Sequence, residues 1–294
     1  MMKGYFQGLY PAVSFTYFAA VIGMTLACMH PVLSPLSFLG AAAFLVILKG
    51  WKSLLGTLKF LLPMMAVIIL ANPLFNHRGV TMLFILFDQW ITLEAVAYGA
   101  VSACQLAAVV LWFACYQEVI TSDKFLFLFG QIAPAAALLI TLTLRLIPQL
   151  KSMAEEIRQV QNTLHGEENR LTQKMAAAVR NLSVLLTWSM ENAVQTADSM
   201  KARGFGQKKR TTYHLFHFDS RDARCLGVIV SLAIAAILFR IFGFGYVEFY
   251  PRIRTLAEGA GNLWQGGILT VLYFLPVLLE KKEACRWRSY SMTA

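Results

Sequence analysis

The chain has 294 residues, of which 57% are apolar and only 14% charged, with a mean hydropathy of +0.58 and a net charge of +10. A soluble domain carries about a quarter charged residues to wet its surface, so an ordinary water-soluble fold is excluded and lipid must be the solvent for much of the chain. The cysteines Cys28, Cys104, Cys115, Cys225 and Cys285 include no CxxC pair. They fit small buried hydrophobes and give no disulfide framework.

About 20 apolar residues cross a hydrocarbon core as a helix. The first such segment lies near 12–29, behind Met1-Met2-Lys3. It is long for a signal-peptide core and lacks a small-residue cleavage site, so it reads as a retained first span. Further segments follow near 31–48 and 54–71. The stretch from Asn72 to Thr81 mixes turn residues with apolar ones and predicts an ordered outer loop that dips back toward the membrane. A fourth span lies near 93–116, and two more near 225–242 and 264–280. The apolar stretch near 125–147 is ambiguous by hydropathy alone.

Charge resolves the ambiguity. Residues 145–224 hold thirteen Lys/Arg against eight Asp/Glu, a net of +5. The 280–294 tail is net +2, and the 49–53 link carries Lys49 and Lys52 with no acid. The 72–92 and 243–263 loops are neutral. Basic loops stay in the cytoplasm, which places the link, the insert and the tail inside. If 125–147 crossed as well, the insert would fall outside. The region from 121 to 147 is therefore expected to lie in the inner interface or against other protein, which its apolar surface requires. Thr121-Ser122-Asp123 offers N-cap chemistry, and Pro134 marks a break.

The insert reads as two long helices. One runs from about Pro134 to Thr163, with Pro148 as a kink, and ends at the polar break His165-Gly166-Glu167-Glu168-Asn169. The other runs from about Leu171 to Ala202. Ala193 and Ala197 lie four apart on it, and small residues at that spacing let helices cross closely. Gly204 is a natural stop after this helix. Arg203 then stands at its end, either as an ordinary basic helix terminus or as a guanidinium offered to a pair of carboxylates. The run Lys208-Lys209-Arg210 suits anionic lipid or topology better than nucleic acid. His214 and His217 have a metal-site spacing, but no further ligand completes a set. There is no HExxH, no GxSxG and no GxxxxGK[ST], so any ATP is expected to be bound by another subunit. Glu94, Glu118 and Arg240 stand at span edges with no evident partner on the same helix face, which fits an interfacial position.

In order and spacing, several stretches together resemble the transmembrane T component of energy-coupling factor (ECF) transporters. They are Asn72 to Thr81, Ile91-Thr92-Leu93-Glu94, Thr121-Ser122-Asp123-Lys124, Leu144-Arg145-Leu146-Ile147-Pro148, and Trp188 through Gly204. The resemblance covers roughly residues 10–240. It implies a cell-membrane, multi-pass protein with both termini cytoplasmic. It also implies two ABC-type ATPase partners, which would bind ATP and Mg, and a small substrate-binding membrane S component. No cofactor, metal or catalytic residue is implied for this chain. Ala202, Arg203 and Gly204 would dock one ATPase. The family usually has a second arginine motif on the first long helix, and it is missing here. His165, with Gly166, or Arg158 about two turns earlier, would take that place. Ala135, Ala136, Ala137 and Leu138 would contact the S component.

The expected fold is thus an all-α polytopic membrane protein of about five to six transmembrane helices plus long crossed cytosolic coupling helices. It divides into 1–120 (transmembrane), 121–224 (coupling region) and 225–294 (transmembrane helices and basic tail). Two other functions make different demands on the sequence. A membrane-embedded enzyme needs paired His, Asp or Glu at membrane depth, and none is evident. A substrate-binding membrane subunit has no need of the long insert.

Overall fold

The computed structural model describes residues 5–76, 80–86, 89–130, 132–165, 171–206, 216–245, 247, 249 and 260–291. Gly166, Lys208-Lys209-Arg210 and His214 lie outside the described residues, as does the side chain of His165. In chain order the elements are α1 (Tyr5–Gly8), α2 (Pro11–Ala27), α3 (Leu33–Lys49), α4 (Trp51–Phe75), β1 (Met82–Leu86), β2 (Gln89–Thr92) and α5 (Leu93–Val119). After them come α6 (Ser122–Gly130), α7 (Pro134–His165), α8 (Leu171–Ala202), α9 (Ser220–Ile241) and α10 (Ala260–Ser291). This is an all-α polytopic membrane protein. Lipid offers the backbone no hydrogen-bond partners, and helices supply their own.

By length and composition, α4, α5, α7, α9 and α10 can each cross a membrane. The apolar helices α2 and α3 have 17 residues each, at the lower limit of about 17–25 for a span. α7 therefore ranks with the spans by its own composition, whereas the charge pattern of the sequence leads to the expectation that 121–147 does not cross.

The structure corrects the sequence reading in three places. The stretch before Leu93, expected as a loop, contains an antiparallel hairpin, β1 on β2, with Phe84 opposite Ile91 and a register shift between Met82 and Phe84. α9 begins at Ser220 rather than near 225. Asp219 caps it through the Ser220 amide at 2.8 Å, and Asp222 returns a bond to the Asp219 amide at 3.3 Å. The basic tail, in turn, is a continuation of α10 as far as Ser291.

The chain divides into two compact units, residues 1–125 with 216–294, and residues 126–215. In the first unit α5 packs on α2, α3 and α4, while α10 packs on α1, α3 and α9. Trp112 lies fully buried at the centre, with Tyr17, Phe18, Phe44 and Tyr273 rings 6.1–6.5 Å from its own. Its indole Nε1–H donates to Ser37 Oγ at 3.0 Å, and Ser37 Oγ lies 3.1 Å from Thr25 Oγ1. A buried indole needs such a partner.

Glycine sets two of the helix contacts. A Cβ on Gly40 would lie 3.2 Å from the Tyr273 carbonyl oxygen, and one on Gly99 would lie 3.1 Å from Asn72 Cβ. α3 and α10 approach closely at the first position and α4 and α5 at the second, as small residues allow in lipid.

Backbone groups freed by helix ends and prolines are met by side chains. Gln105 Nε2 donates to the Thr25 and Leu26 carbonyls at 2.8 and 3.1 Å, and Arg240 donates to those of Ala27 and Gly245 at 3.0 and 3.1 Å. Helix ends leave such carbonyls without intrahelical donors. Glu94 accepts from the Thr81 amide and hydroxyl, and Glu118 pairs with Lys49 at 2.7 Å. Glu94, Glu118 and Arg240 thus have partners after all, each outside its own helix. Lys124 Nζ donates to the Gln7 and Val119 carbonyls at 2.7 and 3.1 Å, tying the start of α6 to α1 and the end of α5.

Pro276 carries the same logic into the middle of a helix. Having no N–H, it cannot donate to the carbonyl of Leu272, four residues back. The buried Tyr17 hydroxyl donates to that oxygen instead, at 3.1 Å. Tyr17→Phe should therefore cost about 1–3 kcal/mol by leaving a buried acceptor unmet. In the Pro276→Ala background, which supplies an N–H, the same change should cost much less. Thermal unfolding of the four detergent-solubilised proteins checks this. Equal costs in both backgrounds would show that the hydroxyl acts elsewhere.

Candidate functional site

The second unit is built around α7 and α8, which pack on each other. Each has 32 residues, about 48 Å of helix at 1.5 Å per residue. α7 opens on Pro134, a residue suited to the first helical position. The helix then runs unbroken through Pro148. Leu138, Leu142, Leu146 and Leu150 recur every four residues and are half-buried, and the buried Ile157 continues that face.

α8 ends in a defined way. Gly204 has φ +80°, its amide donates to the Lys201 carbonyl at 2.9 Å, and the Phe205 amide donates to that of Met200 at 3.0 Å. This is the paired bonding of a Schellman cap, with a glycine in the left-handed conformation that a side chain disfavours. Arg203 is the capping residue, its own amide bonded to the Ser199 carbonyl at 3.1 Å. Its side chain is exposed, as is that of Ala202. A cation here complements the negative helix end, and the cap fixes the backbone that bears it.

The other candidate residues are placed as follows. Arg158 is exposed, two turns before the end of α7, and His165 is the last residue of that helix. His165 and Arg203 lie at opposite ends of the α8 sequence, about 48 Å of helix apart. The structure therefore does not gather them into one site. Ala135 and Ala136 are exposed, whereas Ala137 and Leu138 are half-buried. A Cβ on Gly130 would meet Ala137 Cβ at 3.3 Å, so Ala137 already rests on the end of α6. Ala197 is half-buried and Ala193 exposed.

Residue-by-residue reading missed a longer feature. Leu171, Met175, Val179, Leu182, Leu186, Met190 and Val194 are all exposed, from 54% to 81%. They are spaced three or four apart and so form one row along α8. α8 is not among the helices apolar enough to cross a membrane. An exposed apolar row of this length marks an interaction surface. The period is present in the sequence, but charges interleaved with it (Lys174, Arg180, Glu191) mask it. Among the described residues, no group of three or more His, Cys, Asp or Glu could hold a metal ion.

Residues 12–213 match the family CbiQ, described as cobalt transport protein. The energy-coupling factor transporter transmembrane protein EcfT of Bacillus selenitireducens is 31% identical over 110 residues, covering 36% of this chain and 41% of that protein. The transmembrane protein EcfT 1 of Listeria monocytogenes is 29% identical over 107 residues, covering 35% and 40%. The match thus spans about two fifths of the length of each relative.

Proposed function

Because this chain belongs to the CbiQ family of cobalt transport proteins, we propose that it is the transmembrane T component of an ECF-type importer in the cell membrane. The observation that carries this reading is the α7–α8 pair. It combines an uncovered apolar row with an arginine held at a capped helix tip. The names of the two EcfT relatives support the same reading.

In this proposal two ABC-type ATPases bind ATP and Mg, and one of them receives Arg203 in an acidic groove. The other meets the α7 end, through Arg158 or His165. Their closure on ATP moves α7 and α8, and the apolar start of α7, with Ala135 to Leu138, passes the motion to a small membrane S component. The cargo is a micronutrient, a vitamin or the cobalt ion of the family description, chosen by the S component. This chain breaks no bond, and both of its termini face the cytoplasm.

Co-expression tests the proposal. The tagged full chain should retain two ABC-type ATPases and an S component through purification, and uptake should require all four. A chain that retains no ATPase, or that shows catalytic activity or cargo binding alone, would overturn it.

A further inference from the structure

The cleft between the start of α9 and the Leu275–Glu283 stretch of α10 plays no part in the function proposed above. It encloses about 380 Å³, within the range of small-molecule sites. Both helices are apolar enough to cross a membrane. Their lining residues are graded along the axis in the same sense. Arg221 and Arg224 on α9 and Lys282 on α10 stand at the mouth. Seven residues further in from Arg221 is Val228, and seven further in from Lys282 is Leu275, with Leu279 between them on α10. Seven residues of helix are about 10 Å. The cleft therefore passes from three cations to an apolar inner wall over about the depth separating a headgroup from its acyl chains. The Nε of Arg224 is bonded to the Ser220 carbonyl at 3.2 Å, which orients its guanidinium.

One lining group runs against the charge. Glu283 also lines the cleft, and its Oε2 is buried with no hydrogen-bond partner. A buried acceptor is costly until a donor reaches it. A bare phosphate brings only acceptors, so a ligand that satisfies this oxygen must also carry a donor, such as a headgroup hydroxyl.

We propose that the cleft binds an anionic phospholipid with a hydroxyl-bearing headgroup, of the phosphatidylglycerol type. Its phosphate lies among Arg221, Arg224 and Lys282, a headgroup hydroxyl donates to Glu283, and the acyl chain follows Val228, Leu279 and Leu275. Three cations against one carboxylate leave the mouth net positive. Positive charge also assigns this end of the helices to the cytoplasmic leaflet, whose surface is anionic.

Cys225 stands in the wall of the cleft and is half-buried, so it reports occupancy. The full-length protein is reconstituted in phosphatidylcholine vesicles, alone or with phosphatidylglycerol or phosphatidic acid in equal fractions. It is then labelled with a neutral, membrane-permeant maleimide. Peptide mass spectrometry follows Cys225 against Cys104, a half-buried cysteine of α5. Phosphatidylglycerol should slow Cys225 labelling by about tenfold, the protection expected at about nine-tenths occupancy. Phosphatidic acid should protect less, and inorganic phosphate not at all. The Arg224→Gln/Lys282→Gln variant should lose the protection, and Glu283→Gln should lose the preference for phosphatidylglycerol.

Equal labelling in all vesicles overturns the proposal. So does protection by inorganic phosphate, protection that survives in the double variant, or protection that appears only when a protein partner is added to phosphatidylcholine vesicles. Native mass spectrometry of the unaltered protein gives a check independent of variant folding. It should show retained phosphatidylglycerol, and its absence would equally sink the site.

Discussion

Arg203→Glu should abolish retention of one ATPase partner and transport with it, while leaving the membrane unit folded. If Arg203 enters an acidic groove, reversal removes a charge-assisted, two-pronged hydrogen bond and sets carboxylate against carboxylate. Loss of one member of an interfacial charge pair costs about 2–4 kcal/mol, which is about thirtyfold to a thousandfold in affinity. Arg203→Lys should recover only part of the loss, because an ammonium cannot reproduce the planar fork. Gly204→Val should weaken binding without touching charge, since a β-branched residue at φ +80° strains the cap that holds Arg203 in place. Affinity capture with purified ATPases, together with uptake in vesicles, reads all three. Unchanged binding by Arg203→Glu would remove the docking role.

Trp112→Ala should be the most damaging single change to the membrane unit. The side chain is fully buried and ringed by four aromatic neighbours from α2, α3 and α10. Within a bilayer the loss is one of packing more than of transfer from water, because lipid is itself apolar. Large aromatic deletions cost about 3–5 kcal/mol, and a chain of this size should lose about 10 °C in thermal midpoint. Trp112→Phe separates the two contributions. It keeps most of the ring contact and gives up the bond to Ser37, a cost of about 1 kcal/mol. If the Phe variant fell as far as the Ala variant, the polar link and not the packing would hold the helices together.

Local chemistry in the sequence foretold a good part of this structure. The start of α7 at Pro134 and the span of α8 from Leu171 to Ala202 follow from proline, the polar break and Gly204, all signals acting within one turn. The long spans follow from composition. What escaped was set by pairs far apart in the chain. Nothing near Glu118 announces Lys49, and nothing near Pro276 announces that Tyr17 supplies its missing bond. Glu94 bonds Thr81, thirteen residues back, in a stretch that read as an ordered loop with no chemistry of its own. The extension of α10 past Glu280 was hidden because a cationic run reads equally as a tail or as a helix leaving the membrane. At the candidate site, Gly204 showed where α8 ends, but no single residue announced the apolar row, which is a property of seven positions taken together.

That row bears on how much of this protein a cell can keep. A copy without a binding partner displays an uncovered apolar surface of the kind that chaperones hold and quality-control proteases degrade. Its steady-state abundance should therefore follow the supply of whatever covers α8 more than its own rate of synthesis, and overproduction alone should yield short-lived orphan subunits.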